Sequence, residues 1–172
     1  MLFRSPAEGV QACGEIGPGR MLEPMELIER CSSLFQKGLL AGKNLIITGG
    51  PTREAIDPVR YISNNSSGKM AFALAAEAAD ASARVTLISG PVDLQTPSRV
   101  KRINVESAEE MFTKVMQFRS EMDIFIGVAA VADYRPKQVA KEKIKKDDES
   151  MNLSLIKNPD IISKVEIGRA HV

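Results

Sequence analysis

A polar, glycine-containing stretch between two regular elements offers the first candidate residues for chemistry. Gly49 and Gly50 follow a short apolar run, and glycine lets a backbone approach a ligand closely. The segment SNNSS at 63–67 lies just before an alanine-rich helical pattern. The N–H groups at a helix start favour anions. The same residues are also good helix caps in a solvated loop, and their spacing alone does not decide between the two interpretations.

Two kinds of side chain could act on such an anion. The amide of Asn64 can donate to a carboxylate or phosphate oxygen without titrating, although asparagine is also common in turns and Asn65 stands beside it. The segment KEKIKK at 141–146 has lysine at four of its six positions, Lys143 among them. It is either a solvated charge run or a cationic flap that neutralises phosphate oxygens.

These side chains must be positioned by alternating strands and helices. Apolar runs and periodicity predict strands at Leu45–Thr48, Arg84–Ser89, Val100–Val105, Asp123–Val128 and Met151–Ile156, with helices at Lys69–Ala81 and from Ser107 to about Arg119. Asn158 followed by Pro159 predicts another helix start. The fold class predicted is α/β, a Rossmann-like, doubly wound and mostly parallel sheet in strand order 3-2-1-4-5.

The predicted switch point of this sheet lies between its first and fourth strands, where ligands bind outside the strand carboxyl ends. The loops at that point are Gly49–Gly68 and Gly127–Arg135. The second loop begins with small residues, which leave room for a ring or sugar, and continues to Asp133, which could accept from a hydroxyl or amino group. A tight packing turn is the alternative interpretation.

Composition excludes several classes of protein. The 172 residues are 44% apolar and 26% charged, with a net charge of +1, as in an ordinary globular domain. The sequence has neither the excess of basic residues that is typical of nucleic-acid-binding proteins nor an apolar run of membrane-spanning length. We therefore expect no nucleic-acid or membrane partner and a cytoplasmic location. Cys13 and Cys31 are far apart, and His171 is the single histidine. A zinc site or a histidine-dependent nucleophile is therefore not expected.

The chain is expected to hold parts of two domains. Three glycines and a proline within Ala12–Met21 predict a turned loop without regular strand. The two glycines of KGLLAGK at 37–43 predict a linker between them. The segments MLFRS at 1–5 and EIGRAHV at 166–172 resemble translated adapter sequence and are excluded from the fold prediction.

Four segments in order resemble the phosphopantothenate–cysteine ligase family, which in bacteria is commonly fused behind phosphopantothenoylcysteine decarboxylase in coenzyme A biosynthesis. They are ACGEIGPGRM at 12–21, ITGGPTREAIDPVRYISNNSSGKM at 47–70, GVAAVADYRP at 127–136, and KEKIKK followed by KNPDII at 157–162. The resemblance implies joining of 4′-phosphopantothenate to cysteine through an acyl-cytidylate, with CTP as co-substrate and Mg²⁺. It implies that 1–40 are the C-terminal tail of the decarboxylase domain with its linker, and that 41–165 are an incomplete ligase domain. It also implies FMN only for a missing decarboxylase domain, and a homodimer that forms a larger oligomer in the intact protein.

The resemblance also implies roles for individual residues. Catalytic roles fall to Asn64 and Lys143, and Cys13 matches the proton donor of the decarboxylase, active only in an intact protein. CTP contacts are implied for Gly127, Val128, Ala129, Asp133, Lys143, Pro159, Asp160, Ile161 and Ile162. Substrate contacts are implied for Gly49, Gly50, Ser66, Ser67 and Gly68. Metal ligands are not identified.

Two other functions stay open at this stage. One is an NAD(P)-dependent oxidoreductase, although the GGPT turn at 49–52 does not match the dinucleotide-binding GxGxxG and no acidic residue closes the second strand. The other is a nucleotide-binding fragment without activity. Since the flavin-binding body and later lysines of the family are absent from the sequence, we expect no decarboxylase activity and little or no ligase activity from this chain alone.

Overall fold

The computed structural model describes residues 7–10, 13–28, 38–145 and 150–165. The chain divides into two compact units, Met1–Lys37 and Gly38–Val172. Cys31, Lys146 and His171 lie outside the described residues.

The first unit contains an antiparallel strand pair. β1 (Ala7–Val10) pairs with β2 (Ile16–Arg20), and residues 24–28 are helical. The prediction that Ala12–Met21 contains no strand is wrong. Pairing with β1 supplies the backbone hydrogen bonds that stabilise this glycine-rich stretch as a strand, and Gly14 takes the turn with a φ of 84°.

The second unit is an alternation of strands and helices. It contains, in order, β3 (Asn44–Gly49), β4 (Arg53–Ala55), β5 (Tyr61–Ser63), α1 (Lys69–Asp80), β6 (Arg84–Ser89), β7 (Val100–Asn104), α2 (Ala108–Gln117), β8 (Ile124–Gly127), β9 (Tyr134–Pro136), β10 (Leu155–Lys157) and α3 (Ile161–Val165). Four strands form a parallel sheet in the order β7-β6-β3-β8. The predicted α/β class with its mostly parallel sheet is confirmed.

The two faces of this sheet bury different cores because successive strand residues point to opposite sides. Leu45 and Ile47 of β3 pack with α1, whose alanines include the fully buried Ala75. Ile46 of β3 packs on the other face with Met111 of α2 and with α3. The sheet is thus covered on both faces, as parallel sheets require.

The helices α2 and α1 begin in different ways. Ser107 caps α2, its hydroxyl accepting from the N–H of Glu110 at 3.2 Å, while the Glu110 carboxylate accepts from the N–H of Glu106 at 2.8 Å. Ser107 and Glu110 thus form a capping box, with its return bond one residue earlier than the usual pattern. α1 begins after Gly68, which has a φ of 73°.

Two details of the predicted topology are wrong, and the first loop contains a strand pair. The fifth strand does not join the parallel sheet: β10 pairs antiparallel with β9, because alternation indicates a half-buried strand without specifying its partner. β8 is accordingly an edge strand of the described sheet rather than a central one, although it does neighbour β3 as predicted. The Gly49–Gly68 loop is not wholly irregular, since β4 and β5 pair within it.

Candidate functional site

The carboxyl ends of β3 and β8 bring the two predicted loops together. Parallel pairing of the strands extends past their ends, where Pro51 forms a bridge with Ala130. The N–H of Ala130 donates to the carbonyl of Gly50 at 2.9 Å, and the N–H of Thr52 donates to the carbonyl of Ala130 at 3.3 Å. The sheet hydrogen bonding thus continues into the loops at the switch point.

Side chains of the first loop then fasten the second. The hydroxyl of the fully buried Thr52 accepts from the N–H of Ala132 at 3.0 Å. The Asn64 side-chain amide donates to the carbonyl of Val131 at 3.1 Å and lies 3.5 Å from that of Ala130. Asn64 therefore contacts the Gly127–Arg135 loop, the other loop at the predicted switch point, and its amide nitrogen holds that loop in place.

Asn158 fastens the same segment from the other side. Its buried side-chain amide donates to the carbonyl of Ala132 at 2.7 Å, and its N–H donates to the carbonyl of Asp133 at 2.8 Å. The prediction that Asn158 caps a helix beginning at Pro159 is wrong. The helix, α3, begins at Ile161, because the capping atom of Asn158, its Oδ1, already accepts from the Arg135 guanidinium at 2.8 Å. Asp160 accepts from the N–H of Ser163 at 3.1 Å instead.

A pocket of about 350 Å³ opens where these elements meet. Its lining contains most of the residues predicted to contact a ligand after β8. The lining residues are Ala129, Val131, Ala132, Asp133, Lys157, Asn158, Pro159, Asp160, Ile161 and Ile162. Gly127 and Val128 are outside this lining: a Cβ on Gly127 would lie 3.6 Å from Ile162, and Val128 packs against the α1 side of the sheet. Apolar walls with a carboxylate rim suit a ligand with methyl, hydroxyl and amide groups.

The glycines and serines of the first loop pack its two ends together. Gly50 has a φ of 72°, and a Cβ on Gly68 would lie 3.5 Å from the Gly50 Cα, so the two backbones approach closely. A Cβ on Gly49 would lie 2.4 Å from the Cβ of Ala71. The hydroxyls of Ser66 and Ser67 accept from the N–H groups of Gly68 and Lys69, which satisfies part of the helix start.

The lysine-bearing loop, residues 140–145 in the described part of the chain, is hydrogen-bonded to the Gly49–Gly68 loop through two of its own backbone N–H groups. The N–H of Ala140 donates to the carbonyl of Ile56 at 3.0 Å. The N–H of Ile144 donates to the buried carboxylate of Asp57 at 3.1 Å. Lys143 is exposed between these points.

Asp57 is the most strongly perturbed acid among the described residues. Its partner Arg60 contacts it at 2.6 Å, and the Arg60 guanidinium, together with N–H groups of Val59, Ile144 and Arg60 itself, holds the pKa of the Asp57 carboxyl well below its usual range despite burial. Sequence analysis missed this pair, as it missed Thr52. The Asp-Pro-x-Arg spacing was the available signal, since Asp before Pro favours a turn.

The described residues show neither a cluster of three or more histidine, cysteine, aspartate or glutamate side chains able to hold a metal ion nor a helix long and apolar enough to cross a membrane. In the first unit, Cys13 is exposed just before β2.

Comparisons with known proteins identify the family. Residues 40–171 match the family described as the DNA/pantothenate metabolism flavoprotein C-terminal domain. The chain belongs to this family. It is 59% identical over 162 residues to the coenzyme A biosynthesis bifunctional protein CoaBC of Vibrio vulnificus, covering 93% of this chain and 40% of that protein. It is 50% identical over 175 residues to the CoaBC protein of Escherichia coli K12, covering 99% of this chain and 43% of that protein. The chain thus spans about two-fifths of the length of these curated relatives.

Solved structures agree with the fold. The crystal structure of a CoaBC C-terminal domain aligns with a TM-score of 0.64 at 44% identity, covering 73% of this chain and 59% of that one. The DNA/pantothenate metabolism flavoprotein from Streptococcus pneumoniae aligns with a TM-score of 0.62 at 26% identity, covering 72% of this chain and 64% of that one. Both support a Rossmann-like α/β domain with a mostly parallel sheet.

The family match corrects three predictions. The family description is that of a flavoprotein, so the prediction that this chain serves as a CTP-dependent phosphopantothenate–cysteine ligase is wrong on this finding. The predicted CTP and Mg²⁺ are withdrawn with it. The prediction that FMN belongs only to a missing domain is also wrong, since the flavoprotein description belongs to the family that matches residues 40–171.

The pocket after β8 nevertheless does not fit a flavin phosphate. Its lining carries the carboxylates of Asp133 and Asp160 and the cation of Lys157, while the neighbouring guanidinium of Arg135 is paired with Glu109 at 3.5 Å. A phosphate dianion placed among these groups would meet two like charges for each opposite one, which disfavours binding. The flavin of the family is therefore not placed in this pocket.

Proposed function

We propose that this chain is part of a flavin-dependent enzyme of coenzyme A biosynthesis that decarboxylates phosphopantothenoylcysteine. The support is the family, described as a pantothenate metabolism flavoprotein, and relatives named as bifunctional proteins of coenzyme A biosynthesis. Of the two reactions that sequence analysis linked to this family, decarboxylation is the one that uses a flavin.

The observation that carries the role of this unit is the pocket after β8, which is lined by residues within 129–133 and 157–162. A phosphopantothenoyl compound carries two methyl groups, a hydroxyl and amides in an uncharged arm, with a phosphate at one end. We propose that Ala129 and Val131 contact the methyl groups, and that Asp133 and Asp160 accept from the hydroxyl and amide N–H groups. The phosphate then lies outside the carboxylate rim, where Lys143 of the attached loop supplies positive charge.

Paired ligands test this assignment. Phosphopantothenoylcysteine and its dephosphorylated form would be titrated into the chain by calorimetry. Lys143→Gln is expected to weaken binding of the phosphorylated compound by about 10-fold, as the loss of a charge-assisted contact predicts, and to leave the dephosphorylated form unchanged. Lys114→Gln on α2 is the control for loss of a surface lysine. Equal weakening of both ligands would reject Lys143 as the phosphate contact.

FMN and NAD serve as further titrants for the same preparation. We expect neither to compete with phosphopantothenoylcysteine, because the carboxylate rim disfavours their phosphates. Absence of any binding of the pantothenoyl compound to the wild-type chain would overturn the proposed role of this unit.

The resemblance assigns Cys13 the proton donor of the decarboxylase, and this role remains part of the proposal. In an intact protein that contains this sequence, Cys13→Ser is expected to permit release of CO₂ while product formation falls by at least about 100-fold, the lower end of what a positioned acid contributes. Unchanged product formation would remove Cys13 from the mechanism.

Homodimer formation and a cytoplasmic location also remain predictions. Light scattering of the purified chain would test homodimer formation.

A further inference from the structure

We propose that Asp57 and Arg60 together act as a positioning clamp that holds the lysine-bearing loop, and with it Lys143, at the ligand-binding edge. This inference rests on the proposed role of Lys143 in binding phosphate. The clamp itself is defined by contacts of the described residues and can be tested without any ligand.

The first component of the clamp is a carboxylate whose two oxygens are used separately. Oδ1 of Asp57 accepts from the N–H groups of Val59 and Arg60, each at 2.8 Å, and so fixes its own turn. Oδ2 of Asp57 makes the bonds to other groups. It accepts from the Arg60 side chain at 2.6 and 3.0 Å and from the N–H of Ile144 at 3.1 Å. One side chain thereby joins positions 87 residues apart.

The second component is the guanidinium of Arg60. Its Nη2 group, already paired with Asp57, also donates to the carbonyl of Ile144 at 3.0 Å. Asp57 accepts from the N–H of Ile144 and Arg60 donates to its carbonyl, so an ion pair holds both polar backbone groups of one residue. Stabilising the turn at 57–60 requires neither of these two bonds, so they indicate a second role for the ion pair.

The position of the clamp gives it a functional consequence. Ile144 directly follows Lys143, and Ala140 is bonded to Ile56 at the other end of the same short segment. Lys141, Glu142 and Lys143 therefore lie between two fixed backbone points. Their partners, Ile56 and Asp57, belong to the loop that also carries Asn64, and Asn64 bonds to Val131 of the pocket wall. Fixing the backbone in advance lowers the entropy lost when Lys143 binds an anion.

Hydrogen exchange and limited proteolysis of the 172-residue chain test the clamp directly. In Asp57→Asn, the Ile144 N–H is expected to exchange about 10-fold faster or more, as loss of a charge-assisted hydrogen bond predicts. Tryptic cleavage after Lys141 is expected to accelerate by a similar factor, while cleavage after Lys114 stays the same. Asp93→Asn removes an exposed carboxylate elsewhere and is the matched control. Unchanged exchange at Ile144 and unchanged cleavage after Lys141 would overturn the clamp.

A second variant keeps the test valid if Asp57→Asn does not fold. Ile144→Pro removes the N–H group that donates to the Asp57 carboxylate and leaves the Asp57–Arg60 pair intact. Faster cleavage after Lys141 in this variant supports the clamp, and a wild-type rate contradicts it.

Ligand binding then separates a positioning role from general stabilisation. With the clamp released, affinity for phosphopantothenoylcysteine is expected to fall about 10-fold, and affinity for its dephosphorylated form to stay within twofold. Equal losses for both ligands would show a merely structural role and would overturn the positioning claim. If the wild-type chain binds neither compound, the proposed function fails, while the exchange and cleavage results still decide whether the clamp exists.

Discussion

The side-chain amide of Asn64 donates to the backbone carbonyl of Val131 at 3.1 Å, joining two loops that are 67 residues apart in sequence. The bond lies beside the Pro51–Ala130 bridge that extends the pairing of β3 and β8. The position of the pocket wall therefore depends on a side chain of the opposite loop. An asparagine suits this role because its amide donates without carrying a charge.

Replacing Asn64 by aspartate is expected to weaken the junction between the loops. The carboxylate cannot donate, and it would face the carbonyl oxygens of Ala130 and Val131. We expect a loss of about 1–3 kcal/mol in the free energy of unfolding, measured by urea denaturation. Asn65→Asp introduces the same charge at the next residue and serves as the control. Equal destabilisation by both variants would show that charge in the loop, rather than the bond to Val131, is responsible.

The buried hydroxyl of Thr52 gives a second prediction. Thr52→Val keeps the shape of the side chain but leaves the N–H of Ala132 without its acceptor, so we expect a loss of about 1–3 kcal/mol in the free energy of unfolding. Thr52→Ser retains the hydroxyl. Hydrogen exchange at Ala132 should accelerate in the valine variant and stay close to wild type in the serine variant. Similar exchange in both would mean that packing, not the hydrogen bond, holds this segment.

The close approach at Gly90 gives a third prediction. A Cβ at this position would lie 1.7 Å from the carbonyl oxygen of Pro51, so Gly90→Ala must displace the backbone of the loop after β3. We expect a loss of about 3 kcal/mol or failure to fold. Gly127→Ala is the control, because its nearest neighbour would be the Phe125 ring at 3.4 Å. Thermal unfolding of both variants measures the difference, and equal melting temperatures would contradict the prediction.

The Asp57 carboxyl predicts a pH dependence of stability. The Arg60 guanidinium and the backbone N–H groups depress its pKa in the folded state relative to the value of about 3.9 expected when unfolded. A depressed pKa stabilises the fold fully above the unfolded value, and this contribution is lost as the pH falls through the folded value. The difference in stability between wild type and Asp57→Asn should therefore be constant from pH 5 to 7 and should shrink below about pH 4. Urea denaturation at pH 7, 5 and 3 measures it. A difference that is the same at all three values would show that ionisation of Asp57 does not contribute.

The amino-acid sequence determined the elements that depend on local periodicity and capping. β6 was predicted at its observed residues, α1 to within one residue, and the Ser107 cap of α2 follows from the S-x-x-E spacing. The parallel sheet followed from the alternation of strands and helices, and the neighbourhood of β3 and β8 followed from the strand order 3-2-1-4-5 of the doubly wound class. These features were predictable because each depends on residues close together in the chain or on a general rule of connection.

Tertiary structure decided which strands pair and which distant groups the polar side chains bond to. Met151, Leu153 and Leu155 alternate as in a strand, yet β10 pairs with β9 and leaves Met151 and Leu155 exposed, because the alternation pattern does not encode which strand lies alongside. Likewise, Asn158 has the local features of a helix cap, but its Oδ1, which would accept from the helix, accepts from Arg135, 23 residues away. The bonds from Asp57 and Arg60 to Ile144 also join distant segments. A side chain with several polar groups is satisfied by whichever partner the fold brings within reach, and that partner is fixed only when the sheet has placed the loops at its carboxyl edge.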